Sequence, residues 1–163
     1  MSPQTSVDSD FAVAIPGGIR QAILTHTRLA EVAIQAGLFV CQGTADGQCK
    51  LPASSGDVAK GLGLAPSRVS HDAVFPSGGT AGFTYQIGDT VGAVIGTGWV
   101  TVEEDVSAQD AVYVRYATGG GGSQKGAFRK SADTSTAAAV TGARYLTSAS
   151  AGGLALVAIN LPQ

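Results

Sequence analysis

The sequence predicts an all-β fold, namely an antiparallel β-sandwich or barrel-like domain with a long irregular N-terminal segment. Three observations predict it: many short runs of apolar and β-branched residues, glycine or proline at the ends of those runs, and very little helical periodicity. The chain has 163 residues, and its 23 glycines are about twice the usual share of 7%. This length fits a single β-rich domain at residues 11–163, preceded by a tail at residues 1–10.

The early predicted strands are bounded by glycine and proline. Residues 11–15 (FAVAI) precede a Pro-Gly-Gly turn at 16–18. Residues 37–41 (GLFVC) are continuously apolar, as in a strand that is buried on both faces. Residues 61–64 (GLGL) form a short strand that ends before Pro66.

Two predicted strands follow in the middle of the chain. Residues 90–95 come directly after the turn pair Gly88-Asp89. Residues 99–103 (WVTVE) alternate between apolar and other side chains. The alternation predicts that Val100 and Val102 face the core. The side chains of Trp99, Thr101 and Glu103 would then face outward or toward a partner.

The last two predicted strands differ in pattern. Residues 111–116 (AVYVRY) alternate, so Val112 and Val114 face the core with Tyr116, while Tyr113 and Arg115 share the other face. Residues 154–159 (LALVAI) are apolar on both faces. Such a strand belongs in the middle of a sheet.

Three segments lack a strand pattern. Residues 15–35 contain scattered isoleucines at helical spacing, but interleaved threonine and valine oppose a helix. We therefore predict an irregular or extended segment and a candidate arm that orders on contact with a neighbour. Residues 131–139 are rich in Ala, Ser and Thr, which predicts a loop with one helical turn. Residues 117–126 hold four consecutive glycines, which predicts a glycine-rich loop or hairpin tip.

The charge content narrows the classes of function. Charged residues make up 13% of the chain and the net charge is −2, whereas about 25% charged residues are usual. This balance disfavours nucleic-acid binding through bulk charge. The low share of charged residues indicates either an exposed surface that is largely uncharged or a surface covered by other subunits. We favour the covered surface. The sequence carries no secretion signal and no apolar run long enough to span a membrane.

The sequence holds few residues with the spacing of a reactive or metal-binding site. Cys41 and Cys49 flank a turn-like tetrad, so one interpretation is that they face each other across a hairpin. We favour the other interpretation, in which they are small apolar residues in a reducing cytoplasm. His26 and His71 belong to no metal-binding pattern. The sequence therefore predicts no metal, no cofactor and no catalytic residue.

Two polar groups leave alternatives open. The acidic cluster Glu103, Glu104 and Asp105 is interpreted as a solvated strand end, with a cation site or a glycosidase pair as the minor alternative. Tyr113 and Arg115 form either a stacking and hydrogen-bonding patch or a simple cover of the sheet face.

Several short stretches occur in a definite order along the chain. They are 16–19 (PGGI), 34–40 (IQAGLFV), 49–52 (CKLP), 61–65 (GLGLA), 85–91 (YQIGDTV), 98–104 (GWVTVEE), 108–115 (AQDAVYVR), 126–129 (GAFR) and 153–162 (GGLALVAINLP). In this order they resemble the tailed-phage capsid cement proteins, also called decoration or head-stabilising proteins. The resemblance covers residues 11–162. It departs from the family at Gln109, where glycine is usual, and in the long glycine tract.

The resemblance implies a structural virion protein that binds the outer surface of a phage capsid and stabilises contacts between major capsid subunits. It implies a homo-oligomer, a dimer or trimer, made in the bacterial host cytoplasm, whose partner is the major capsid protein and not nucleic acid or a membrane. The interface expected on this basis comprises Ile19, Arg20, Arg28, Glu31, Trp99, Tyr113 and Arg115.

Two other functions were weighed. A carbohydrate-binding or adhesin module of a virion would use Trp99, Tyr113 and Tyr116 as a stacking surface. An enzyme would have to rely on the acidic cluster and His71, which carry no recognisable catalytic pattern.

Overall fold

The computed structural model describes residues 16–67, 83–118 and 123–161. Within these ranges the chain is almost entirely β-structure, with one short helix, α1 (Ser55–Ala59). The strands in chain order are β1 (Ile19–Ala30), β2 (Ile34–Gln35), β3 (Phe39–Gln42), β4 (Gln48–Lys50), β5 (Gly61–Leu64), β6 (Thr84–Tyr85), β7 (Thr90–Thr101), β8 (Ala111–Arg115), β9 (Phe128–Arg129), β10 (Ala137–Tyr145) and β11 (Leu154–Ile159). The predicted all-β class is confirmed.

The strands close into a barrel. Nine of them form one sheet in the order β1-β4-β3-β5-β7-β11-β10-β8-β9, and β2 pairs separately with β6. The sheet closes on itself because β1 also pairs with β7. A parallel bridge between Val102 and Phe128 brings β9 back to the chain that follows β7. The barrel-like architecture is therefore confirmed, but the sheet is mixed rather than purely antiparallel, since β1 and β4 run parallel.

Strand β7 joins the two halves of the molecule. It is twelve residues long and pairs with β1, β5 and β11. The sequence predicted two separate strands here, at 90–95 and 99–103. The structure joins them, because residues 96–98 pair with β11 on one side and contribute to the β1 pairing on the other.

The core is divided into two clusters of buried side chains. The larger cluster lies mainly among β7 to β11, takes further members from β3, α1 and β5, and includes Phe39, Val100, Phe128 and Tyr145. The rings of Phe39 and Phe128 meet edge to face with their centroids 6.2 Å apart. The smaller cluster lies among β1 to β5 and the start of β7. Its members are Ala30, Ile34, Val40, Cys49, Leu62, Ala65, Tyr85, Val91 and Ala93.

Strand β1 occupies much of the segment 15–35, which the sequence predicted to be irregular or extended but did not mark as a strand. Residues 19–30 form one strand that pairs with β7 along most of its length. The sequence pattern failed because residues 20–25 are exposed on both faces. Alternation marks a strand only when one face is buried and the other is solvated.

The stretch at 131–139 is half loop and half strand. Asp133, Thr134 and Ser135 adopt positive φ angles of 45°, 54° and 65°, so the loop turns through left-handed backbone at three successive residues. The predicted helical turn is thus wrong, and β10 begins at Ala137. Its Ala, Thr and Gly residues gave no strand signal, because small side chains produce little hydrophobic periodicity.

The remaining strand predictions hold with small shifts. The predicted bounds of β5 and β11 agree with the structure, and β3 and β8 differ by one or two residues. The predicted strand at 11–15, the tail at 1–10 and the four glycines at 119–122 lie outside the described residues. Among the residues that are described, no helix has the length and apolar character needed to cross a membrane.

Candidate functional site

Most of the predicted interface residues lie on or beside β1. Ile19, Arg20 and Arg28 belong to this strand, and Glu31 follows it. Trp99 of β7 is half-buried beside the start of β1, where its backbone exchanges hydrogen bonds of 2.8 and 2.9 Å with Gly17 and Gly18. Five predicted residues are therefore brought to one side of the molecule.

Tyr113 and Arg115 lie apart from that group, on β8. Tyr113 is half-buried and pairs in register with Ala139 and Arg129. Arg115 is only 3% exposed, and its side chain forms hydrogen bonds within the protein. Its guanidinium contacts the carboxylates of Glu103 and Asp133, which lie on loops distant in sequence. The local sequence pattern could not predict these contacts.

Arg115 belongs to a charged cluster, which comprises Arg115, Arg129, Glu103, Glu104 and Asp133. The Nε atom of Arg115 donates to both carboxylate oxygens of Glu103 at 2.9 and 2.8 Å. Its Nη2 atom donates to Asp133 at 2.7 Å. Arg129 contacts Glu103 at 3.2 Å and Asp133 at 2.9 Å through Nη1. The cluster thus ties the ends of β8 and β9 to the loops after β7 and before β10.

Glu104 is held by the loop that follows β9. Its Oε1 atom accepts hydrogen bonds of 2.9 Å from the amides of Lys130 and Ser131 and from the Ser131 hydroxyl. Burial alone would raise the pKa of Glu104, but these hydrogen bonds and the charge of Arg129 outweigh it and hold the pKa below 4.5. The sequence suggested that Glu103 and Glu104 are a solvated strand end. The structure shows instead that both carboxylates are held by hydrogen bonds within the protein. A carboxylate that stays ionised to low pH does not suit a general acid, and this disfavours a glycosidase pair.

We expect the cluster to make stability fall in acid. Hydrogen bonding to Arg115 lowers the pKa of Asp133 below 3.8, as the contacts above do for Glu104. A lowered folded-state pKa contributes stability that is complete above the unfolded value and is lost as pH falls through the folded pKa. The free energy of unfolding, measured by urea titration from about pH 7 to about pH 3, should therefore decrease below about pH 4.5. In Glu104→Gln this decrease should be shallower, and an equally steep decrease would contradict the assignment.

The two cysteines are buried and point away from each other. Cys41 pairs with Lys50 and Cys49 with Gln42, so the cysteines are offset by one residue on adjacent strands and their side chains project to opposite faces. Both are free thiols. The hairpin placement is as predicted, but the two thiols do not face each other across it.

We expect both thiols to be unreactive in the folded protein. Burial raises the pKa of Cys41 to about 12 and that of Cys49 to about 11. Since the thiolate is the reactive form, a rise of two units lowers the rate of modification about 100-fold. Reaction with Ellman's reagent should be slow in native buffer and fast in denaturant. Rapid native modification of either thiol would contradict this.

The described residues provide no metal centre, since no group of three or more His, Cys, Asp or Glu side chains is placed to hold an ion there. His71 lies outside the described residues. A cavity of about 260 Å³ lies between β7 and the segment before β3, lined in part by Gln35, Leu38, Thr101 and Ala127. The carboxylate on its wall is that of Glu103, which is already paired with Arg115.

The surface that sequence reasoning missed is apolar. The exposed large hydrophobic side chains lie chiefly on β1, just after it and in the turn before β7. They are Ile23 (65% exposed), Leu24 (38%), Leu29 (48%), Val32 (38%), Phe83 (37%) and Ile87 (74%). We call Ile23, Leu24, Leu29, Val32 and Ile87 together the β1 surface. In the sequence, Ile23, Leu24 and Leu29 of this surface lie within residues 16–30, which contain apolar residues but no acidic residue and no strand-like alternation. Such a pattern favours an exposed position at the edge of a sheet.

Comparison with known proteins assigns the chain to a family. The family model described as structural cement protein (E217 gp24/Pam3 gp6) matches residues 3–160. No curated protein sequence gives a significant match.

Two solved structures match the chain. One is a chain of the capsid of Myoviridae phage XM1, with a TM-score of 0.63, 20% identity, and coverage of 96% of this chain and 95% of that chain. The other is the head fibre gp8.5 N base of bacteriophage phi29, with a TM-score of 0.43, 16% identity, and coverage of 86% and 96%. The XM1 chain supports the fold. The family match extends over nearly the whole chain, and the protein belongs to the phage structural cement proteins.

Proposed function

We propose that the protein binds the outer surface of a phage capsid and stabilises contacts between major capsid subunits. The observation that carries the proposal is the β1 surface, a set of exposed apolar side chains along β1, just after it and in the turn before β7. Large exposed apolar side chains of this kind mark contact surfaces in soluble proteins. Weak contacts repeated over a lattice add up through multivalency.

The rigidity of the barrel supports this function. A closed sheet has few free edges, and two buried cores hold β7 between them. The charged cluster fixes the loops at the far end of β8 and β9. A clamp between capsid subunits must resist deformation, so a closed, cross-tied barrel suits the task.

We further propose that the protein acts as a homo-oligomer, a dimer or trimer, on the capsid exterior after synthesis in the host cytoplasm. The low share of charged residues, 13%, and the exposed side chains of the β1 surface support contacts with other subunits. Size-exclusion chromatography with light scattering gives the oligomer number. A monomer at all concentrations would contradict the oligomer proposal alone.

No specific observation favours the carbohydrate-binding alternative. Trp99 lies on β7, Tyr113 on β8 and Tyr116 just after β8, and all three side chains are partly buried. The Tyr116 hydroxyl donates to the backbone oxygen of Ser135. These rings therefore do not present one open stacking face.

Co-sedimentation with purified capsids that lack the protein tests the proposal. The wild type should sediment with capsids and raise their melting temperature. Replacing Ile87 by serine should weaken binding at least about tenfold, because burying one large apolar side chain contributes roughly 1.5–3 kcal/mol. Ala111→Ser, at an exposed position on β8, is the matched control and should bind as wild type. Absence of wild-type binding would overturn the proposed function.

A further inference from the structure

Among the described residues, the backbone groups on the outer edge of β1 at residues 19–28 pair with no strand. The amide of Leu29 donates to Gly47 at 2.8 Å on the side away from β7. Backbone groups alternate in direction along a strand, so those of Thr25 and Thr27 point to the same side as Leu29. The pairing of β1 with β4 covers only Leu29 and Ala30. Among the described residues no strand covers the outer edge of residues 19–28.

The side chain of Arg28 shows that this edge accepts hydrogen bonds. Its Nη1 atom donates to the carbonyl oxygen of Thr27 at 2.9 Å. Backbone polar groups are normally paired, and an unpaired strand edge is a template for another strand. Residues 20–25 are exposed on both faces, so this part of the strand is not buried by its neighbours.

The charge along β1 indicates what kind of strand fits. Residues 16–30 contain Arg20, His26 and Arg28 and no acidic residue. Strand β7, which pairs with β1, carries no charged residue. No ion pair joins Arg20 or Arg28 to a carboxylate of the described residues. The strand therefore carries two arginines and no carboxylate in a chain whose net charge is −2.

The same charges disfavour a second copy of β1 as the occupant. If two β1 strands paired antiparallel about a two-fold axis at Leu24, Arg20 of each copy would lie opposite Arg28 of the other. Like charges directly opposite on adjacent strands are destabilising. A shift of one residue places the arginines on opposite faces of the paired strands, so this repulsion applies to the register centred on Leu24.

We propose that the outer edge of β1 binds an extended, acidic segment of the major capsid protein by strand addition. This inference rests on the proposed function and deepens it by naming the chemistry of the contact. Backbone hydrogen bonds to Thr25 and Thr27 supply the pairing, and acidic side chains of the segment meet Arg20 and Arg28. Apolar side chains of the segment pack on Ile23 and Leu24.

A peptide experiment tests the chemistry without capsids. The probes are two capped octapeptides, one alternating threonine and glutamate and the other alternating threonine and lysine, added to the isotope-labelled full-length protein. The glutamate peptide should shift the amide signals of Thr25 and Thr27 in NMR spectra, and the response should weaken with added salt. The lysine peptide should bind at least about tenfold more weakly. No response to either peptide, or an equal response to both, would overturn the inference.

A proline substitution tests the edge itself. Thr27→Pro removes an outward amide but no bond to β7, and proline is tolerated on such an edge. It should weaken binding of the glutamate peptide at least about tenfold, because one lost hydrogen bond and a steric block cost about 1.4 kcal/mol or more. Thr27→Val keeps the amide and the branched side chain and should bind as wild type. If Thr27→Pro fails to fold, Arg20→Glu decides instead, since it should reverse the preference between the two peptides.

Capsid binding by the same variants separates the two claims. If the wild type and Thr27→Val bind capsids and Thr27→Pro and Arg20→Glu bind at least about tenfold more weakly, both claims stand. If all four bind equally, capsid attachment stands and strand addition at β1 is overturned. If the wild type does not bind capsids, the proposed function fails and so does the capsid protein as occupant, whatever the peptides show. If Thr27→Pro converts an oligomer into a monomer, the edge belongs to a second copy and the inference is wrong.

Discussion

Replacing Arg115 by alanine is expected to lower the free energy of unfolding by about 3–5 kcal/mol, which is the usual cost of removing one partner of a buried ion pair. The guanidinium is 4% exposed and contacts Glu103 and Asp133 at 2.8 and 2.7 Å. It also donates to the hydroxyl of Thr136 at 2.8 Å. The substitution leaves Glu103, itself 19% exposed, with one arginine instead of two. Urea titration at neutral pH measures the loss.

Two further variants make this result interpretable. Arg115→Lys keeps the charge but not the planar fork of donors, so it should recover part of the lost stability. Lys50→Ala breaks a looser pair with Asp57, in which the two atoms are 3.7 Å apart and both side chains are more than 20% exposed. That change should cost at most about 1 kcal/mol. An Arg115→Ala loss no larger than that of Lys50→Ala would show that the charged cluster is solvated and does not hold the loops.

Replacing Gly96 by alanine is expected to destabilise the protein by about 3 kcal/mol or more, because it combines backbone strain with a steric clash. Gly96 has φ at +148° and pairs with Ala22 of β1 and Ile159 of β11. A Cβ atom there would overlap the carbonyl oxygen of Gln21. That oxygen belongs to the backbone, so β1 itself would have to move.

The matched control is Gly47→Ala. Gly47 has φ at +80°, but a Cβ atom there meets no heavy atom within 4 Å. Its cost should be the conformational strain alone, about 1 kcal/mol. Thermal unfolding gives the difference between the two variants, and hydrogen exchange of the β1 amides shows where it acts. Equal losses in the two variants, with unchanged exchange in β1, would contradict the close approach of β1 to β7.

Strands were predictable where the local sequence pattern matched the position of the strand in the folded sheet. Residues 61–64 and 154–159 have clear boundaries and lie in the buried part of the sheet, and the structure confirms both strands. Strand β1 was missed because neither of its faces is buried at residues 20–25. Strand β10 was missed because its small residues gain their strand conformation from pairing with β8 and β11, which local sequence does not reveal.

The candidate site was predictable only in part. The placement of Arg20 and Arg28 in an extended segment that contacts a partner came from the family resemblance and stays a prediction. Alternation along β8 placed Arg115 outward, but Glu103, Arg129 and Asp133 converge on it from distant parts of the chain. No local pattern reports such convergence, since it depends on the closure of the sheet.

The central claim is that this protein attaches to the capsid exterior and bridges major capsid subunits. A cryo-electron microscopy reconstruction of capsids reconstituted with the purified protein tests it most directly. The account predicts barrel-shaped density on the outer surface, over contacts between subunits, with β1 toward the shell. Capsids with bare outer surfaces after incubation with a saturating amount of the folded protein would contradict the account.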